Sequence, residues 1–418
     1  MLLAAIVAPA AIVAPAAIAQ QPAREPLILV RAAHLLAVPG ERPLGASTLL
    51  IRRDRIVEVR SGRLDCASLP DEPSCTAIDL GESWILPGLG DGHVHLSFDR
   101  TASPSASAFD RGGISRSTTT LDAWLNARKT LAAGFTTVRD LASNSESVFA
   151  LRSAIESGRL PGPRILVSGL PISSTGGHGD FTPPGTPHTG PDESGLCDGV
   201  EGCRRAVREQ IKRRADVIKI MATGGFASRS GTSQHFTEEE MRAAIEVAHL
   251  RGIKVTTHAY DPLGILAALR AGVDSVEHGI FINNDGLMLM KQRGVWLVPT
   301  LVTTGERGDY VARAHKAGVG IAFGTDSGMT PHGQNAREFP LLVAAGLTPT
   351  EALLTATRNF AAMTGLEKDI GTLEPGKLAD LIAVSANPLD DIQVLQKVDF
   401  VMKSGRVFKR DGRIVAMD

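Results

Sequence analysis

The sequence predicts an α/β chain: a (β/α)8 barrel with a small β-sandwich domain built from both chain ends. Two positive observations and one absence lead there. Between about residues 85 and 365, short apolar segments alternate with amphipathic helical stretches. Both ends of the chain read as strands, with a different rhythm from the middle. No G-x-G-x-x-G follows the first strand of the middle region, which argues against the alternative, an open doubly wound sheet. Alternation of strand and helix implies a parallel sheet, and closing it into a barrel is the economical solution.

The elements follow in order. Residues 1–19 are apolar and alanine-rich and end in Ala17-Ile18-Ala19, a pattern that suits signal-peptide cleavage, although no Lys or Arg precedes the run. The expectation is export to the periplasm or medium with no stable membrane insertion after cleavage. An uncleaved anchor is the other reading, since about 18 apolar residues approach a membrane span. Segments 27–30 and 48–59 are expected strands, with turns at Pro39-Gly40 and Arg53-Asp54. Segments 378–384, 398–403 and 406–409 match them at the other end, so residues 26–84 and 370–418 are expected to form one discontinuous domain. The barrel then spans residues 85–369. Its strand candidates are 85–95, 136–141, 165–172, 217–222, 255–259, 275–278, 296–301 and 321–325. Two helices announce their starts: Thr237 with Glu240 forms a capping box, and Thr348-Pro349 with Glu351 combines an N-cap, a proline in the first turn and an acid at the third position.

Composition excludes several functions. The 44 Lys and Arg nearly balance the 45 Asp and Glu, so no net field draws nucleic acid or an anionic membrane. Aromatics make up 4 %, too few for a base-stacking platform. The basic run Arg204, Arg205, Arg208, Lys212, Arg213 and Arg214 is interrupted by Glu209 and reads as a solvated helix face. Four cysteines form two close pairs, Cys66 with Cys75 and Cys197 with Cys203, and neither spacing is a C-x-x-C knuckle. In an oxidising compartment each pair would close a local disulfide contributing about 2–3 kcal/mol; in a reducing one the four remain thiols.

The chemistry concentrates at strand ends. His93 and His95 stand two apart on the first barrel strand, so both side chains point the same way. Lys219 lies within the fourth strand, His258 and His278 close the fifth and sixth, and Asp326 follows the eighth. One histidine at a strand end is ordinarily a hydrogen-bonded core group. Four histidines, a lysine and an aspartate on five strands of one barrel are hard to account for by packing. A buried lysine needs a partner or a modification, because desolvating an ammonium costs several kcal/mol.

These residues resemble the amidohydrolase superfamily. The marks are Leu86-Pro87-Gly88 leading into Asp91-Gly92-His93-Val94-His95, then Lys219, His258, His278 and Gly324-Thr325-Asp326, and the tail from Gly371 to Leu381. The resemblance implies two divalent metal ions, with zinc suited to the imidazole-rich ligands. His93, His95 and Asp326 would hold one, His258 and His278 the other, and a CO2-derived carbamate on Lys219 would bridge them. A metal-bridging hydroxide would attack the substrate carbonyl, with Asp326 taking the proton and returning it to the leaving nitrogen.

Within the superfamily, the likeness is to imidazolonepropionase-like members acting as Xaa-Pro or Xaa-Arg/Lys dipeptidases and to ochratoxin-hydrolysing amidases. It rests on Thr175-Gly176-Gly177-His178-Gly179-Asp180, Cys197-Asp198-Gly199-Val200, Ala222-Thr223-Gly224-Gly225 and His332-Gly333-Gln334-Asn335. It implies cleavage of an amide bond in a dipeptide or N-acyl amino acid. His178 would stabilise the oxyanion, or else simply order its glycine-rich loop. Arg229, His235 and His332 are the candidate substrate contacts, and Arg139 with Asp140 is expected as a structural ion pair. Two other classes stay open: hydrolysis of a lactone, ester or cyclic amide at the same centre, and a non-catalytic exported binding protein. Assembly into a homo-oligomer is left open.

Overall fold

The computed structural model describes residues 25–415 except 71, 73, 101–114, 144, 181, 183–194, 227, 229, 230, 306 and 307. The leader and Arg229 therefore lie outside the described residues. Among the described residues there are seventeen strands, of mixed orientation. The N-terminal ones are β1 (Leu27–Ala32), β2 (His34–Leu35), β3 (Ser47–Arg52), β4 (Arg55–Ser61), β5 (Cys75–Asp79) and β6 (Trp84–Pro87). The middle contributes β7 (Leu89–Val94), β8 (Phe135–Asp140), β9 (Arg164–Val167), β10 (Val217–Met221), β11 (Lys254–Ala259), β12 (Ser275–His278) and β13 (Trp296–Val298). The C-terminal strands are β14 (Leu381–Val384), β15 (Phe400–Lys403), β16 (Arg406–Arg410) and β17 (Arg413–Ile414).

The chain ends meet. β14 pairs antiparallel with β6, placing Leu381 opposite Pro87 and Ile382 opposite Leu86, inside a six-stranded sheet ordered β17-β16-β15-β14-β6-β2. A second sheet, β4-β3-β1-β5, comes entirely from the N-terminal part. One apolar cluster joins Val30, Leu49 and Ile51 of the second sheet with Ile85, Leu381, Ala383 and Phe400 of the first, so the two sheets bury their apolar faces together.

The middle strands form two parallel groups, β7-β8-β9 and β10-β11-β12-β13. Isolated parallel bridges link Ile172 to Ile220, Leu297 to Ile321 and Val94 to Ser327. Four expected strands come out differently. The first, 85–95, divides at Gly88, with β6 pairing with β14 in the terminal sheet and β7 in the parallel group, and the seventh, 296–301, stops at Val298 because a helix starts at Leu301. The third stops at Val167, short of the bridge at Ile172. Segment 321–325 makes single bonds to several neighbours instead of one ladder: Ala322 N–H donates to Leu297, Phe323 N–H to Thr355, and the Phe323 carbonyl accepts from Gly92. The two capping boxes form as the sequence implies. Glu240 N–H donates to Thr237 Oγ1 at 3.2 Å and Thr237 N–H to Glu240 Oε2 at 2.8 Å, with the same reciprocal pair at Thr348 and Glu351. Both cysteine pairs are disulfides, Cys66–Cys75 and Cys197–Cys203. No helix among the described residues is long and apolar enough to cross a membrane.

Candidate active site

The C-terminal ends of the parallel strands enclose a cavity of about 330 Å3. All six expected ligands, His93, His95, Lys219, His258, His278 and Asp326, line it, together with His178. Period-two alternation brings several of them there: Lys219 and Met221 on β10, and His258 and Tyr260 at the end of β11, share a face.

His93, His95 and Asp326 converge. Asp326 Oδ1 lies 2.8 Å from His95 Nε2 and 3.5 Å from His93 Nε2, and one donor atom from each of the three fits within 4.8 Å. Behind His93, Nδ1 lies 2.8 Å from Glu277 Oε2. Glu277 is in turn clamped by Arg139 at 2.6 Å and by the Thr256 hydroxyl. Asp91, fully buried, accepts from His93 N–H (3.0 Å), Thr325 N–H (3.1 Å), Thr325 Oγ1 (2.6 Å) and Asn335 Nδ2 (2.7 Å), tying the first strand to the Thr325-Asp326 turn. Burial pushes its carboxyl up to about 6 against those four bonds. The backbone is strained where the chemistry gathers: His278, Thr300 and Asp326 have φ of 67°, 54° and 59°. Thr300 Oγ1 holds His278 Nδ1 at 2.7 Å.

On the opposite side the imidazoles pack against one another. His178 stacks on His258 at 4.3 Å, and His258 meets His278 edge-on at 4.7 Å. Burial lowers the pKa of all three, His178 to about 4 and His278 to about 3, so at neutral pH these rings are uncharged donors of nitrogen lone pairs. Gly225 permits the stack: a Cβ there would meet His178 Cε1 at 3.0 Å and His258 Nε2 at 3.3 Å. His178 is steadied by Ser228 Oγ at Nδ1 (2.6 Å), and its loop by Asp198, which takes bonds from Thr175 N–H (3.1 Å) and Oγ1 (2.6 Å) beside the Cys197–Cys203 bridge.

Lys219 is 1 % exposed, and its ammonium has no hydrogen-bond partner among the described residues. Burial lowers it to about 8, with Glu277 and Asp326 opposing the shift.

The other expected contacts sit elsewhere. His235 takes a bond from His178 N–H at 3.3 Å and supports that loop rather than lining the cavity. His332 is buried beneath it, its Nε2 3.0 Å from the Phe98 carbonyl and its Nδ1 3.4 Å from Thr130 Oγ1. Arg139 is a structural ion pair, but its partner is Glu277; neighbouring Asp140 instead accepts from Leu96 N–H and Ser143 Oγ. Sequence reasoning passed over Glu277, Tyr260 and Arg100. Alternation through Ser275 and Glu277, and through Thr256, His258 and Tyr260, was the available signal for the first two.

A protein-family model described as the amidohydrolase family matches residues 84–408. The chain belongs to the amidohydrolase family. This amidohydrolase is 34 % identical over 426 residues to ochratoxinase of Aspergillus niger, covering 90 % of its own length and 86 % of the relative's. Its structure is similar to that of a Xaa-Pro dipeptidase with bound methionine, with a TM-score of 0.85, 33 % identity, and 92 % of this chain and all of that one covered. The A. niger ochratoxinase structure matches with a TM-score of 0.80 and 30 % identity over 93 % of this chain and 96 % of that one. The mixed α/β architecture is that of a family of TIM-barrel type, and the enzyme is a hydrolase of C–N bonds.

Proposed function

We propose that this amidohydrolase cleaves the amide bond of a dipeptide or N-acyl amino acid at a two-metal centre. The observation that carries the reading is Lys219, whose ammonium is buried with no partner among the described residues, in a cavity shared with five imidazoles and Asp326. An unpaired ammonium there is costly, and carbamylation turns it into an anionic ligand. The donor set suits divalent ions: neutral imidazoles, one ionised carboxylate and the modified lysine. His93, His95 and Asp326 would hold one ion, His258 and His278 the other, with Lys219 between them. When bound, such ions act as Lewis acids and bring the pKa of water down toward about 7.

The protein's own groups do the rest. Both imidazole contacts of Asp326 fall on Oδ1, which leaves Oδ2 to take the proton of the attacking water and return it to the leaving nitrogen. Burial and the Asp326 charge raise the Tyr260 phenol, so it stays a hydrogen-bond donor. Ser228 Oγ accepts from Gly225 N–H and lies 2.6 Å from His178 Nδ1; with the hydroxyl as donor to Nδ1, the His178 hydrogen is left on Nε2. His178 and Tyr260 then polarise the substrate carbonyl and stabilise the oxyanion. The names of the neighbours, a Xaa-Pro dipeptidase and an ochratoxinase, support an amide substrate.

We further propose that β7 to β13 and segment 321–325 close into a (β/α)8 barrel over residues 85–369, an idea supported by the three parallel bridges. Residues 26–84 and 370–418 would form the small β-sandwich domain, and residues 1–19 would direct export, to which the two disulfides are suited. The test is a mass-spectrometric product screen over dipeptides, N-acyl amino acids, lactones and esters, beside metal analysis. The expectation is amide turnover with close to two metals per chain. Turnover of lactones alone, or of nothing, would overturn the reading.

A further inference from the structure

Among the described residues two lysine or arginine side chains line the cavity, Lys219 on its floor and Arg100 at its rim. Unlike Arg139, whose guanidinium is engaged by Glu277, the Arg100 side chain makes no hydrogen bond or ion pair among the described residues; its backbone N–H donates to Gly328 O at 2.8 Å. The carboxylate next to it, Asp99, pairs with Lys129 at 3.6 Å instead.

The anchor places Arg100 on a particular side of the site. Gly328 is two residues beyond Asp326, and its Cβ would meet His95 Cβ at 2.9 Å, so segment 95–100 lies directly against the 326–328 turn. Phe98 stacks on His95 at 5.0 Å within the same segment. Asp326 is the group that serves the leaving nitrogen, so Arg100 borders the leaving half of the substrate. In an amino-acid leaving group the carboxylate carbon lies only about 2.5 Å from the scissile nitrogen. A carboxylate held that near Asp326 is repelled unless a cation faces it. Phe98, Val302 and Met329 are apolar members of the lining, Thr303 and Thr330 are neutral, and among the described residues Arg100 is the one arginine or lysine of the lining besides Lys219.

We propose that Arg100 binds the free α-carboxylate of the leaving amino acid and makes the enzyme selective for amides that release one. A guanidinium does this with two parallel N–H donors, which a carboxylate matches and an alcohol does not. The apolar wall would take the amino-acid side chain. The proposal rests on the amidase reading above.

The test uses the intact enzyme on a panel of N-acyl amino acids and dipeptides, each beside a counterpart in which CH2OH replaces the terminal carboxylate. The wild type is expected to prefer the carboxylate member by about 100-fold in kcat/KM. Arg100→Gln should shrink that ratio to below about 10, chiefly through a raised KM for the carboxylate member, with metal content and Tm unchanged. Wild-type enzyme that hydrolyses both members equally, or Arg100→Gln enzyme that keeps the wild-type ratio, overturns this inference and leaves the amidase reading standing. No turnover anywhere in the panel overturns both.

Discussion

At the floor of the cavity His93, His95, Lys219 and Asp326 are at most 8 % exposed, and their supports are themselves bonded two or more times over. At the rim Phe226 is 57 % exposed, and Arg100 is exposed with a guanidinium that has no partner among the described residues. The floor is over-determined: Asp91 alone takes four bonds, and Glu277 joins His93 to Arg139 and Thr256. The rim is held by backbone contacts such as Arg100 to Gly328. A floor built this way keeps its groups positioned whatever binds, whereas the rim can be altered with little cost to the fold. The proposed chemistry therefore belongs to the floor and the choice of substrate to the rim.

The largest expected effect breaks the floor outright. Lys219→Ala should abolish activity and lose metal, and short carboxylic acids should restore part of both by standing in for the carbamate. An active variant with unchanged metal content would remove Lys219 from the centre. His178→Ala, which deletes a donor but none of the proposed ligands, should lower kcat by about 10²–10³-fold with metal content intact. A smaller loss would return His178 to ordering its loop. Glu277→Gln is expected to weaken metal retention by about 10–100-fold, read by competition with a chelator, because the carboxylate aligns His93 from behind. Unchanged retention would make Glu277 a partner of Arg139 alone.

The same contrast explains what could be read in the sequence. Floor residues repeat a strand period and sit at strand ends, so the sequence alone assembles His93, His95, His258, His278 and Asp326 into one site. Alternation with Ser275 puts Glu277 on the interior face, but a histidine beside it at the strand end competes for that face in the sequence. The φ of 67° at His278 ends the regular alternation, so adjacent residues both serve the site. Segment 321–325 looks like a strand by composition, yet its backbone groups serve three different neighbours. His332 follows an apparent motif but points into packing, and nothing local distinguishes a histidine under a loop from one lining a cavity. Rim groups carry no period at all. Arg100 was invisible until the fold placed it beside Gly328.

The smallest expected effect concerns the wall between floor and rim. Glu338 is fully buried and takes Leu301 N–H and Val302 N–H, each at 2.7 Å on a separate oxygen. It thereby fixes the turn whose Thr300 holds His278 and whose Val302 and Thr303 line the cavity. Burial pushes its carboxyl from 4.5 up to about 8, with the two N–H bonds opposing the shift. Between those values the native chain binds more protons at this site than the unfolded chain. The stability this group contributes is thus full below about pH 4.5 and is lost as pH rises toward 8, with a slope of about 1.4 kcal/mol per pH unit. Glu338→Gln cannot accept both N–H bonds, so it should cost about 1–3 kcal/mol at pH 5. That deficit should narrow or reverse by pH 8, because the variant no longer carries the buried carboxyl. Urea unfolding of both proteins across this range checks the sign. Parallel curves would mean that the wall tolerates the charge and that Glu338 braces it by its hydrogen bonds alone.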